Sequence, residues 1–192
     1  DSTGLGIKLV ETGGKSYFEN VTFKNINNEQ GSLMLYGAPA KLEFCSWVGA
    51  AGIACNIFRS NVEFTSAVFH EYGTAVKASF ANVSVQAVIT KCGNGVMSEF
   101  AVVEVNDSRI EVTRIGVQAE KNANVIVEES TISATQIGVE SGSGSEITVR
   151  NSTIKSAELG LKCVDGGIGF SGGKLKLNDC SMQGVKVDYN LD

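Results

Sequence analysis

The sequence predicts an all-β protein, a single solenoid of about eight to nine short coils. Three observations carry that expectation. First, the chain repeats itself: Val125-Ile-Val-Glu-Glu-Ser-Thr-Ile132 returns as Ile147-Thr-Val-Arg-Asn-Ser-Thr-Ile154, and Ile137-Gly-Val139 returns as Leu159-Gly-Leu161, both 22 residues later. Second, apolar residues alternate with a period of two, the signature of strands with one buried face. Third, 22 glycines and one proline in 192 residues suit strands joined by tight turns.

The elements follow in columns. The first reads Gly6-Ile7, Ser32-Leu33, Gly52-Ile53, Ala75-Val76, Gly95-Val96, Gly116-Val117, Gly138-Val139, Gly160-Leu161 and Gly184-Val185, each with a small or apolar residue two positions on. The second reads Val21/Phe23, Leu42/Phe44, Val62/Phe64, Val83/Val85, Val103/Val105, Val125/Val127, Ile147/Val149 and Leu175/Leu177, in β-branched, leucine and phenylalanine residues that strands prefer. A weaker third follows a polar kink: Ala67/Phe69, Ser108/Ile110, Ser130/Ile132, Ser152/Ile154 and Cys180/Met182. Three short strands in 20–24 residues leave no room for a helix. Stacked coils then turn columns into ladders about 4.8 Å apart. Phe23, Phe44 and Phe64 are expected to stack inside, as are Ile110, Ile132 and Ile154, and Trp47 is expected in the core.

Composition narrows the function. An apolar content of 43% builds a continuous core, and 19% charge is too little for a disordered chain. A net charge of −5 argues against nucleic acid or anionic membrane as partner. No apolar run approaches the length of a membrane span. The start at Asp1, with neither a capping helix before Gly6 nor a polar cap after Val187, leads us to expect one domain over 1–192, cut from a longer chain or packed end to end on others.

These columns resemble those of the right-handed parallel β-helix (pectin-lyase-like) superfamily over essentially the whole chain. The resemblance implies a right-handed winding. It also implies relatives that act on polysaccharides along an outer groove, the lyases with clustered acidic residues for calcium and a basic residue, the hydrolases with close aspartates. Aspartate is scarce here (Asp1, Asp107, Asp165, Asp179, Asp188, Asp192), and neither aspartates nor arginines share an outward column. No catalytic residue is therefore carried over, and no cofactor or metal is expected.

The five cysteines have no metal spacing. Cys55 and Cys163 are expected in one inward slot five coils apart, about 24 Å and far beyond disulfide reach. With Cys180 they read as small buried hydrophobes, while Cys45 and Cys92 stay open. Spacing breaks at 11–17, at 70–73 and at 164–173, where solenoids tend to carry function.

The binding candidates are His70, Glu71 and Tyr72 in the second break, Lys77 on the first column's outward slot, Glu43 and Glu63 on the second's, and Asp165 in the third break. His70 beside Glu71 could act as an acid–base pair, or be an ordinary turn residue. Glu43 and Glu63 are expected as neighbours about 5 Å apart, needing a cation, lysine or water between them. The leading expectation is a non-catalytic module, in an extracellular, cell-surface or virion setting. It would offer a rigid face to a polysaccharide or protein partner through end-to-end or lateral contacts. A polysaccharide lyase, hydrolase or epimerase and a bare spacer are the alternatives.

Overall fold

The computed structural model describes residues 6–26, 29–49, 51–142, 144–156, 158–164, 172–183 and 186–189. They form a parallel β-solenoid. The first sheet stacks nine strands, from Ile7–Val10 to Lys186–Tyr189, close to the coil number expected. The second holds fourteen strands in two limbs, which fuse in the middle coils into the single long strands Asn61–His70 and Asn82–Cys92. A register shift between Val85 and Ala87 marks where the separate limbs elsewhere meet at a corner.

Three ladders fill the interior. The first sheet contributes Leu33, Cys55, Val76, Val96, Val117, Val139 and Leu161. The upper limb contributes Leu42, Phe64, Val85, Val105, Val127 and Val149. The lower limb contributes Phe23, Trp47, Phe69, Ile89, Ile110, Ile132 and Ile154. All of these are buried. No coil covers its own inner face, so each is stable only against its neighbours.

Register corrects several expectations, all in the first three coils or at the end. The aromatic stack is Phe23, Trp47 and Phe69, with centroids 4.9 and 4.6 Å apart, and Phe64 meets Trp47 edge-on. Phe44 is not in it: it sits at a corner with φ of 53° and is 59% exposed. Leu42, not Phe44, pairs with Phe64, and Phe18 pairs with Leu42. Ala54-Cys55 takes the first-column slot in place of Gly52-Ile53, and the final strand pairs through Val187 rather than Val185. Cys55 therefore belongs with the valines, whereas Cys163 pairs with Ser141 in the next slot along; the two do not share a ladder. All five cysteines are free; Cys45, Cys55 and Cys92 are buried, and Cys163 and Cys180 are half-buried.

The corners explain both the polar kinks and the cysteines. At these corners one residue takes a left-handed backbone, among them Asn20, Phe44, Asp107, Glu129, Asn151 and Asp179, and after all of these but Asn20 the next residue is a serine or cysteine. Where that next residue is serine, the hydroxyl does two jobs. Ser130 Oγ donates to the Glu128 carbonyl (2.7 Å) and accepts from the Ser108 N–H of the neighbouring coil (3.1 Å); Ser152 does the same for Arg150 (2.6 Å) and Ser130 (3.0 Å). A buried N–H at the bend is thereby satisfied. Cys45 and Cys180 stand in this same column, their thiols facing the carbonyls of Glu43 (3.4 Å) and Asn178 (3.2 Å).

Candidate functional site

Two clefts run along the outer faces of the second sheet. The larger, about 690 Å³, lies on the lower limb between Lys91, Glu111, Ser133, Lys155 and Gln183. The other, about 530 Å³, lies on the upper limb and is lined by Lys15, Pro39, Asn61, Glu63, Asn82, Ser84, Val102 and Glu104 among others. The upper cleft follows the ladder rule applied outward, along a slot whose Glu63, Ser84 and Glu104 line it and whose Tyr17 and Lys41 lie beyond its lining. Tyr17, Lys41, Glu63, Ser84 and Glu104 occupy one outward slot on five successive coils. Asn61 and Asn82 begin the neighbouring column, with Asn82 Nδ2 donating to Asn61 Oδ1 at 3.1 Å.

Glu43 and Glu63 do not face each other in register. Glu63 pairs with Lys41 and Glu43 with Thr65, and the Lys41 ammonium lies between the carboxylates, 2.7 Å from Glu43 and 3.9 Å from Glu63. Of the three remedies for a carboxylate pair, the chain uses lysine. The hydrogen bond to Glu43 raises the Lys41 pKa, holding it charged. Lys15, carried up by the first spacing break, adds a second contact to Glu63 at 3.3 Å and lies 5.9 Å from the Tyr17 ring. Tyr17 is 73% exposed, so most of its ring faces solvent.

The second spacing break separates its three candidates. His70 is half-buried, its Nδ1 2.8 Å from Thr90 Oγ1 and its Nε2 3.3 Å from Glu71, which also meets Lys91 at 3.4 Å. This network touches the lower cleft only through Lys91. Tyr72 turns inward instead: it is 2% exposed, with its hydroxyl 3.0 Å from Ser32 Oγ. Burial pushes its phenol pKa up, so Tyr72 is a core residue that no ligand reaches. Lys77 stands on the outer face of the first sheet between Asn56 and Met97, away from His70. Asp165 lies outside the described residues.

The columns read from the sequence put Glu63 on an outward slot but did not bring Lys15, Asn61, Asn82 and Ser84 beside it. Part of the signal was present, since Asn61 and Asn82 open their strands and Lys15 precedes one. The true register was needed to collect them. No family model matches the chain, and no curated protein matches it.

Proposed function

We propose that the protein is a non-catalytic glycan-binding module, and that the upper cleft takes a neutral polysaccharide. The observation that supports this is the exposed Tyr17 ring at one end of a line of planar amides, a hydroxyl and carboxylates at regular spacing. An aromatic face receives the apolar side of a sugar, and amides and carboxylates hydrogen-bond its hydroxyls. The column from Lys41 to Glu104 spans three coil intervals, about 14 Å, enough for a short run of sugar rings. Two lysines oppose three glutamates along it, and the lysines are already engaged. A polyuronate would meet the Glu104 carboxylate while both lysines are committed to Glu43 and Glu63, so a neutral chain fits better.

The kinship with pectin-lyase-like proteins, the right-handed winding and an extracellular, cell-surface or virion setting belong to the same proposal. The strand–turn–strand coil and the outer groove support them. A second reading, glycoside hydrolysis, draws on one spacing: Glu63 and Glu104 stand two coils apart, about 9.6 Å, near the separation inverting enzymes use. The Lys15 and Lys41 contacts to Glu63 favour the binding reading, because they occupy the carboxylate that would have to move a proton.

The test is a glycan array followed by calorimetry on the best neutral and uronate hits. Binding of a neutral glycan, weakened by Tyr17→Ala and by Glu63→Gln without new reducing ends, supports the module. Turnover lost in Glu104→Gln would replace it with the hydrolase. Silence on every glycan, or binding untouched by both cleft variants, would overturn it.

A further inference from the structure

Charge is not balanced along the upper cleft. Toward its Tyr17 end, Lys15 and Lys41 both lie against Glu63, and Lys41 holds Glu43 as well, so these carboxylates are answered from within the chain. At the other end stands Glu104, exposed and lining the cleft. Among the described residues it makes no ion pair. Its register partners on either side are Ser84 and Ile126, which bring it no positive charge.

The oxygens beside Glu104 lack donors too. Asn82 stands two residues before Ser84 on the same outward face, and its Nδ2 is committed to Asn61 Oδ1 at 3.1 Å. That bond fixes the amide and leaves Asn82 Oδ1 as an acceptor. Asn82 Oδ1, the half-buried Ser84 hydroxyl and the Glu104 carboxylate thus line this end with three oxygen groups and a single O–H donor. A sugar hydroxyl offers such a set one donor. An ammonium offers three and a positive charge, and hydrogen bonds between ions are about twice as strong as neutral ones. A neutral ring laid over Glu104 strips water from a carboxylate and returns no charge, which weakens binding.

We propose that the sugar seated over Glu104 carries a free amine, in a chain that is neutral along the rest of the cleft; this rests on the glycan reading above. Glu104 stands four coil intervals from Tyr17, about 19 Å, so the amino sugar lies at the end far from the aromatic ring. Calorimetry on the full chain at low salt tests it with three probes of equal length: an oligomer of N-acetylglucosamine, the same oligomer deacetylated at one ring, and an oligomer of glucose. The singly deacetylated form should bind about fivefold tighter than the other two, the upper range for one exposed ion pair. Added salt should shrink that difference. Glu104→Gln should bring the deacetylated form down to the level of the neutral ones. Glu158→Gln, which removes the same charge outside the cleft, should leave the preference intact. Both side chains are exposed, so neither variant threatens the fold. Neutral binding without an amine preference, or a preference that survives Glu104→Gln, would overturn this inference and leave the glycan reading standing. Silence of all three probes would overturn it as well, while the glycan array decides the reading of the cleft separately.

Discussion

Gly116→Ala probes the stacking where it is tightest. Gly95, Gly116, Gly138 and Gly160 form one column on the first sheet, each beside the next. A methyl group on Gly116 would lie 2.4 Å from Ile132 Cγ2 and 2.5 Å from the Gly138 carbonyl oxygen of the following coil. Ile132 is fully buried in its own ladder and the carbonyl belongs to a hydrogen-bonded sheet, so neither can withdraw. Overpacking of this kind costs about 1–3 kcal/mol, and rigid neighbours on both sides put Gly116 at the top of that range. At about 2–4 °C per kcal/mol for a chain of this size, about 3 kcal/mol lowers the melting temperature by roughly 6–12 °C. Because each coil leans on its neighbours, hydrogen exchange should quicken first in 115–120 and 137–141 and much less near Leu33–Tyr36. A thermal melt by circular dichroism with exchange mass spectrometry reads both. A melting temperature within about 1 °C of wild type would refute the stacking geometry as drawn, since no unstrained site there accepts a methyl.

Val127→Asp buries a carboxylate in the upper-limb ladder between Val105 and Val149; trypsin should then cut the adjacent coils at a concentration the wild type survives. Ser130→Ala strands the buried Ser108 N–H and should cost about 1–3 kcal/mol in urea unfolding, whereas the exposed Thr135 changed to alanine should cost little. Burial pushes Cys55, Cys92 and Tyr72 above their ordinary values of 9.0, 9.0 and 10.0, so the fold favours the neutral forms. Their contribution to stability is complete below pH 9.0 and is lost as pH rises toward the folded values; denaturation midpoints measured across that window should fall. In native protein a thiol reagent should modify Cys163 and Cys180 before Cys45, Cys55 and Cys92.

The later coils were readable because their columns are chemically uniform. From Asn94 to Ser156 the Gly-Val pairs, the valines and the Ser/Ile pairs recur at nearly constant length, so alternation and register agree. The first three coils are not uniform. In Val21–Phe23 and Leu42–Phe44 two phases of alternation are equally apolar, and only the corner chemistry separates them: Phe44 takes the left-handed turn that Asn20 takes one coil earlier. At Leu42–Phe44 a slip of two residues keeps the alternation in phase, so hydrophobicity alone cannot detect that Phe44 belongs to the corner. The same slip hid the cleft, because Lys41, not Glu43, stands beside Glu63. Tyr72 escaped for a different reason. A tyrosine in a spacing break reads as exposed, yet a hydroxyl partner, Ser32, from another coil lets it be buried.

Register is the claim from which everything else descends, and a pair of introduced cysteines measures it directly. Thr131 and Thr153 are partners on adjacent coils, about 4.8 Å apart at the α-carbons, inside the disulfide range. Lys155, two residues further along the same strand, stands about 8 Å from Thr131, outside it. Under mild oxidation, Thr131→Cys with Thr153→Cys should give an intramolecular disulfide in peptide mass mapping, and Thr131→Cys with Lys155→Cys should not. Efficient closure of the second pair, with the first left open, would contradict the stacking from which both clefts are built.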